Sequence, residues 1–291
     1  LTPIICGKSP LWCFIKNKNS EFRVLEIGIV TDEISLNIKE AIEIGLKLGI
    51  VNYEIRCVGS YDRRVPYISE EDVNFILENV QSGKIRITAL SPGIFKIKPG
   101  ESEKLKFEME KVLPDTFQLA RKLGVNKIII FGFVRDGTPE DFIIETLRKV
   151  SDYAYAEGFN LAIENEPGFY CDTGVNTARV IEKVGAKNLG ANWDPANAVG
   201  AGEFAFPVGY ESIKNFIFNL HVKDAVNKPE FKCLLVGDGS VNWFGQLRAI
   251  VRDRVVDNIT IETHYLPLIE STIENLKRVR AILKAIEWSG L

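Results

Sequence analysis

A repeated local pattern constrains the fold of this chain more than any other feature of its sequence. The pattern is an amphipathic helix, a glycine, a joint of one to three residues and a short apolar strand: residues 46–49 lead into 51–55, and residues 120–124 lead into 127–131. Glycine just past the last helical turn adopts a left-handed conformation without a Cβ clash, so it marks a helix end. The strands are almost entirely apolar, which is typical of parallel strands covered on both faces. The pattern therefore predicts alternating strands and helices.

Eight strand–helix units are predicted after the first 22 residues. Strands are expected at residues 24–31, 52–58, 86–91, 127–133, 160–165, 188–194, 216–224 and 258–264. Helices are expected at residues 35–48, 69–82, 102–123, 139–157, 174–184, 209–215, 243–253 and 269–287. An open doubly wound sheet would bring a glycine-rich phosphate loop after its first strand, but Thr31-Asp32-Glu33 follows there. We therefore predict an α/β fold, a single (β/α)8 TIM barrel over residues 23–291.

The segment before the barrel, residues 1–22, is predicted to be an N-terminal appendage outside the core. Its apolar piece, residues 11–15, is too short for the hydrophobic region of a signal peptide. The longest apolar runs, such as residues 128–133, are far shorter than the roughly 20 residues that span a bilayer. The five cysteines form no C-x-x-C pair, which favours reduced thiols. We therefore expect a cytoplasmic protein that does not associate with membranes.

The charge balance bears on the partners of the protein. Lys and Arg number 36 and Asp and Glu 39, for a net charge of −3, and the sequence pI is about 5.7. Such a chain lacks the general positive field that holds nucleic-acid phosphates. We therefore expect a small-molecule partner and no nucleic acid, and leave open a homo-oligomer.

Four residues with metal-binding side chains stand near the predicted C-terminal ends of four consecutive strands: Glu164, Asp194, His221 and Glu262. In a barrel of this kind the chemistry lies at those strand ends. A single glutamate there is more often a salt-bridge partner or a cap, but four such residues in phase favour a shared role. Three converging carboxylates would repel one another without a cation. Three oxygen ligands and one nitrogen suit one divalent metal ion, Mn²⁺, Mg²⁺, Co²⁺ or Zn²⁺.

The sequence around these residues resembles the xylose isomerase-like TIM barrels, the sugar phosphate isomerase/epimerase superfamily that also contains metal-dependent AP endonucleases. The matching segments are Ile163-Glu164-Asn165, Asp194-Pro195-Ala196-Asn197, His221-Val222-Lys223-Asp224, Gly237-Asp238-Gly239 with Trp243, and Ile261-Glu262. The resemblance extends from about Val24 to Trp288. It implies that Glu164, Asp194, His221 and Glu262 bind one catalytic divalent metal.

A metal held in this way can chelate adjacent oxygens of a hydroxy-ketone and stabilise the enediolate that forms when the α-carbon proton leaves. The resemblance implies that Glu164 and Glu262 are the acid/base pair that moves this proton, as in family members that epimerise ketoses. The predicted function is a metal-dependent isomerase or epimerase of a carbohydrate substrate: a sugar, a sugar phosphate or a related polyol ketone.

Six further side chains are candidate substrate contacts: Lys223, Asp224, Glu54, Arg56, Asn197 and His264. Lys223 shares the strand face of His221 and could reach a substrate oxygen, with an outward salt bridge to Asp224 as the alternative. Arg56 could bind a carboxylate or phosphate of the substrate, with a Glu54–Arg56 pair inside the barrel as the alternative.

Three other functions remain as alternatives. A dehydratase of an inosose-like substrate would use the same enolate to expel a β-hydroxyl group. An AP-endonuclease-like nuclease is disfavoured because the chain has only two histidines and carries Asn197 where that branch places a histidine. A barrel that binds a sugar or a metal without turnover is the third, but the intact four-residue set argues against it.

Overall fold

The computed structural model of the protein describes residues 25–289, so the predicted appendage at residues 1–22 lies outside the described residues. Eight parallel strands form a closed barrel: β1 (Glu26–Val30), β2 (Asn52–Ile55), β3 (Arg86–Leu90), β4 (Lys127–Phe131), β5 (Asn160–Glu164), β6 (Leu189–Trp193), β7 (Ile217–Val222) and β8 (Asn258–Ile261). Strands adjacent in this order are adjacent in the barrel, and β1 pairs with β8 to close it. The predicted (β/α)8 barrel is confirmed.

Helices cover the outside of the barrel. They are α1 (Ile38–Lys47), α2 (Glu70–Gln81), α3 (Ser102–Phe107), α4 (Leu113–Leu123), α5 (Glu140–Ala156), α6 (Gly174–Val184), α7 (Pro195–Gly200), α8 (Tyr210–Ile213), α9 (Trp243–Asp253) and α10 (Leu268–Trp288). A π-helical turn, Glu108–Val112, joins α3 to α4, so the predicted helix 102–123 is one nearly continuous element. No helix within residues 25–289 combines the length and the apolar character needed to cross a membrane.

Several short elements were not predicted from the sequence. They are the helix α7, the hairpin of Cys57–Val58 with Ser60–Arg64, and the hairpin of Asp224–Val226 with Lys232–Leu234. All three follow the C-terminal ends of barrel strands, where they build the mouth of the barrel.

The alternation of side chains along the strands separates two buried regions. Leu161 and Ile163 of β5 belong to the main core between strands and helices, whereas Ala162 belongs to a small separate cluster with Ala89 and Ile129. Successive side chains of a strand point to opposite faces. Glu164 therefore shares the inward face of Ala162, and the β5 strand directs this carboxylate into the barrel.

Candidate metal centre

The structure brings the four predicted ligands together at the C-terminal mouth of the barrel. Glu164 is the last residue of β5, Asp194 and Glu262 directly follow β6 and β8, and His221 lies in β7. Each offers one ligand atom, and these atoms all lie within 4.8 Å of one another. All four residues are buried, with Glu164 the most exposed at 6%. The cluster is therefore compact enough to surround a single cation.

Local hydrogen bonds fix the position of Asp194. Its Oδ1 accepts a hydrogen bond from the backbone N–H of Asn197 at 3.0 Å, and so caps the start of α7. Asn165 exchanges hydrogen bonds of 2.8 Å with the backbone of Asp194, and the Asn197 side chain donates to the Asn165 carbonyl, also at 2.8 Å. These contacts favour a structural role for Asn197, whose expected substrate contact stays a prediction.

The second oxygen of Asp194 supports the fit of a metal ion. Asp194 Oδ2 is buried, and its partner is the Lys223 ammonium, 2.7 Å away. This oxygen therefore faces a cation, whereas Oδ1 is held by a backbone N–H group. Together with two glutamates and one imidazole, it forms a donor set that suits a divalent metal.

Glu54 sets the orientation of the His221 ring. Its oxygens lie 3.0 and 3.1 Å from His221 Nε2, while Nδ1 faces Glu262 Oε2 at 3.3 Å and Glu164 Oε1 at 3.8 Å. Nδ1, which also lies 3.2 Å from Asn192 Nδ2, is therefore the nitrogen on the side of Glu164 and Glu262, while Glu54 faces the opposite nitrogen, as outer carboxylates do in metal sites. Burial alone would lower the pKa of His221, but the charges of Glu54, Glu262 and Glu164 raise it well above its usual value.

Glu54 and Arg56 do not pair with each other as the alternative interpretation expected. Arg56 instead contacts Asp32 Oδ2 at 2.8 Å, Glu33 Oε1 at 2.7 Å and Glu262 Oε1. Three carboxylates thus occupy its guanidinium, which favours a positioning role. The contact of Glu54 and Arg56 with substrate stays a prediction.

Glu262 has different partners at its two oxygens. Oε1 is held by Arg56 and lies 3.1 Å from His264 Nε2, whereas Oε2 faces Lys223 Nζ at 2.9 Å. Oε2 also lies 3.3 Å from His221 Nδ1, so it is the oxygen on the side of the candidate ligand cluster. Burial opposes ionisation of Glu262, but the charges of Lys223, His264 and His221 outweigh it and hold its pKa well below the usual value.

Glu33, Glu262 and His264 form a second group of residues whose ligand atoms are close together. The Arg56 guanidinium contacts both carboxylates of this group, so their negative charge is already compensated. His264 lies at the rim with its side chain 42% exposed, and its backbone N–H donates to Glu33 Oε2 at 2.7 Å. The four-residue cluster is therefore the better candidate for a metal position.

Asp224 is turned away from the ligand cluster. Its oxygens accept hydrogen bonds from the backbone N–H groups of Ala225, Gly237 and Val241 at 2.8–3.0 Å. A Cβ on Gly239 would lie 2.2 Å from Asp224 Oδ1, which explains why the Gly-Asp-Gly segment suits this loop. These contacts favour a structural role for Asp224. The alternative for Lys223, a salt bridge to Asp224, is not found; Lys223 pairs with Asp194 and Glu262 instead, and the substrate contacts of Lys223 and Asp224 stay predictions.

Two side-chain amides beneath the candidate ligands, those of Asn192 and Asn219, were not predicted from the sequence. Asn192 Nδ2 donates to Glu164 Oε2 at 3.1 Å, and Asn219 Nδ2 donates to Glu54 Oε2 at 3.2 Å and to Asn192 Oδ1 at 2.9 Å. Asn192 and Asn219 each stand two residues before a ligand, Asp194 and His221. Because side chains two residues apart in a strand point to the same face, the positions of Asp194 and His221 could have predicted these two amides.

The fold and this cluster define a (β/α)8 barrel with a candidate divalent-metal centre at its C-terminal mouth. The family model described as xylose isomerase-like TIM barrel matches residues 42–289. The chain belongs to this family, which confirms the resemblance seen in the sequence. The comparison with curated proteins found no match.

Solved structures with the same fold have low sequence identity to this chain. A D-tagatose 3-epimerase-like protein matches with a TM-score of 0.75 and 16% identity, over 92% of this chain and 100% of its own. An IOLI protein with a binding zinc atom matches at 0.72 and 19%, over 90% and 98%. The probable 3-DHS dehydratase AsbF from Bacillus anthracis matches at 0.71 and 15%, over 88% and 99%. At these identities the likeness shows the fold alone.

Proposed function

We propose that this protein is a divalent-metal-dependent isomerase or epimerase of a sugar, a sugar phosphate or a related polyol ketone, acting by proton transfer through an enediolate. The observation that carries the proposal is the buried cluster of three carboxylates and one imidazole whose ligand atoms lie within 4.8 Å of one another. Its place at the C-terminal mouth is where barrels of this type carry their chemistry. The epimerase-like protein and the zinc-containing protein among the structural neighbours support both parts of the proposal.

The metal would be held by Glu164, Asp194, His221 and Glu262. A bound divalent ion would supply Lewis-acid stabilisation of the negative charge that develops on the substrate oxygens. The donor set fits Mn²⁺, Mg²⁺, Co²⁺ or Zn²⁺.

Glu164 and Glu262 are the proposed acid/base pair. Glu164 is held through Oε2 by Asn192, while its Oε1 has a more distant neighbour, His221 Nδ1 at 3.8 Å, so Oε1 is the atom with room to exchange a proton. Glu262 is held on both oxygens by cationic groups, and the pKa of Glu262 lies well below its usual value. Glu262 is therefore ionised, which is the form that accepts a proton, but a pKa this far below neutral pH makes it a weak base.

A dehydratase is the second candidate function. It is favoured by the structural likeness to the probable 3-DHS dehydratase AsbF. The same proton abstraction leads to loss of water when a hydroxyl group stands on the β-carbon of the substrate.

The test combines metal analysis with isotope exchange. Purified protein is loaded with Mn²⁺, Mg²⁺, Co²⁺ or Zn²⁺ and incubated with ketoses, ketose phosphates and inososes in deuterated water. Deuterium at a substrate carbon supports enolisation, and loss of water identifies the dehydratase. Glu164→Gln should reduce the exchange at least ~100-fold, while Glu145→Gln, on the exposed side of α5, should leave it unchanged. Full exchange in Glu164→Gln would contradict the acid/base assignment, and metal binding with no exchange for any substrate would indicate a binding protein.

A further inference from the structure

Lys223 lies among the metal-ligand carboxylates. It follows β7 directly, stands two residues after His221 and is only 4% exposed. Its Nζ is 2.7 Å from Asp194 Oδ2 and 2.9 Å from Glu262 Oε2. Both oxygens belong to candidate metal ligands. The other oxygen of each carboxylate is already held, Asp194 Oδ1 by the Asn197 N–H group and Glu262 Oε1 by Arg56.

A divalent ion and the Lys223 ammonium cannot both keep these contacts. Asp194 and Glu262 would help to hold the ion, and the ammonium now contacts the oxygen of each carboxylate that Asn197 and Arg56 leave free. Two cations a few ångströms apart in a buried site repel strongly. The lysine side chain is a point charge on a flexible four-carbon stem, so it can leave while its backbone stays in place.

Arg56 offers an instructive contrast. It contacts the other oxygen of Glu262, Oε1, and is also fixed by Asp32 and Glu33. A metal ion on Oε2 therefore leaves the contacts of Arg56 intact. Of these two cations that touch Glu262, only Lys223 stands in the path of the metal.

We propose that Lys223 is a built-in competitor of the metal ion, and that metal binding displaces its ammonium from Asp194 and Glu262. Lys223 thereby sets the affinity of the site for divalent ions. The released ammonium becomes available to an oxygen of the substrate only in the metal-loaded protein. This last step rests on the proposed function, whereas the competition itself requires only that the site binds a metal.

Metal titration of three proteins tests the competition. Wild type, Lys223→Met and Lys96→Met are titrated with Co²⁺ and Mn²⁺ by calorimetry, with far-UV circular dichroism to check folding. Lys96 pairs with Glu166 at 2.7 Å and contacts none of the four ligands within the described residues, so it is the matched control. Lys223→Met should bind at least ~tenfold more tightly than wild type, because a positive charge has been removed from the site, and Lys96→Met should match wild type.

The outcomes separate the inference from the proposed function. Equal or weaker binding by Lys223→Met overturns the competition and leaves the metal site standing. No binding by any of the three proteins overturns both. If only Lys223→Met binds the metal, the Lys223 ammonium prevents metal binding in the other two proteins, and the competition is supported.

A second measurement uses the unmodified protein, because Lys223→Met removes a cation from between buried carboxylates and can prevent folding. Lysines are acetylated with an amine-reactive reagent in the presence and absence of Co²⁺, and the modified sites are measured by mass spectrometry. Acetylation of Lys223 should rise severalfold with the metal, and that of Lys96 should not. Acetylation of Lys223 that stays constant or falls would overturn the displacement.

Discussion

Replacement of Glu54 by glutamine is expected to weaken divalent-metal binding by about 10- to 100-fold, or about 1.4–2.7 kcal/mol. Glu54 is fully buried and contacts His221 Nε2 through both oxygens, at 3.0 and 3.1 Å. It touches none of the other three ligands in the described structure. Its effect on the metal must therefore pass through the orientation and basicity of the His221 ring.

The size of the effect follows from what glutamine retains and what it loses. Glutamine keeps the volume of the side chain and one oxygen that can accept a hydrogen bond from His221. It loses the negative charge, and its NH₂ group replaces one of the two oxygens. Asn219 Nδ2 donates to Glu54 Oε2 at 3.2 Å, so two donors would face each other unless one side chain turns. If His221 no longer bound the metal at all, the loss of affinity would exceed this range. If Glu54 had only a structural role, the loss would be smaller than this range.

The assay is calorimetric titration with Zn²⁺ and Mn²⁺, together with the visible absorption of bound Co²⁺, which reports the geometry of the ligands. Glu166→Gln is the matched control because Glu166 lies near the mouth but pairs with Lys96. Wild-type affinity in Glu54→Gln, within twofold, would refute the reasoning. An equal loss in the control would show that the effect is a general loss of negative charge.

Two other predictions concern stability. Burial raises the pKa of Glu108 to about 7 from an ordinary 4.5, so the folded protein keeps a proton that the unfolded chain releases, and this group lowers stability as pH rises from 4.5 to 7. The free energy of unfolding, measured with urea at pH 5 and at pH 8, should therefore fall by about 2 kcal/mol less between these pH values in Glu108→Gln than in the wild type. An unchanged pH dependence would contradict the raised pKa of Glu108. A divalent ion at 100 times its Kd should raise the free energy of unfolding by about 2.7 kcal/mol; calorimetry should show a higher Tm that EDTA reverses, and an unchanged Tm would count against the metal site.

The barrel could be predicted because its signals are local. Gly124 and Gly185 end α4 and α6 in the left-handed conformation, with φ of 69° and 72°, as the repeated pattern predicted. Strand ends were less certain: the last strand was expected at 258–264 but ends at Ile261. His264 has a positive φ of 47°, so an extended strand does not run through it, and sequence patterns do not show where the pairing stops.

The elements at the mouth were missed for different reasons. The start of α7 did carry a signal, since Asp194 caps the helix and Pro195 stands at its first position, a combination typical of helix starts. The hairpin of Asp224–Val226 with Lys232–Leu234 has no such signal. The segment after the hairpin is anchored on it, because the N–H groups of Gly237 and Val241 donate to the Asp224 carboxylate, and a short strand pair gains too little stability by itself to be evident in the sequence.

The candidate ligands could be predicted from the sequence, whereas the contacts of the charged groups around them could not. Ligand positions follow from strand ends, so a regular spacing predicts them. The partners of Arg56 depend on which side chains meet between neighbouring strands of the closed barrel: Arg56 follows β2, Asp32 follows β1 and Glu262 follows β8. Both the pair with Glu54 and the observed contacts satisfy the charge of Arg56, and only the packing of the closed barrel selects between them.

The buried charged groups inside the barrel are costly for stability, which indicates that they have a functional role. From the lower part of the barrel upward, Lys127 donates to Asn219 at 3.0 Å, Asn219 donates to Glu54, and Glu54 faces His221. Buried charged networks are seldom more stable than apolar side chains of the same volume. Buried groups with shifted pKa values, here Lys127 and His221, cluster at functional sites. The chain of contacts fixes the His221 ring from below while Arg56 fixes Glu262 from the side, so the ligands are held in place by groups that do not themselves need to bind the metal.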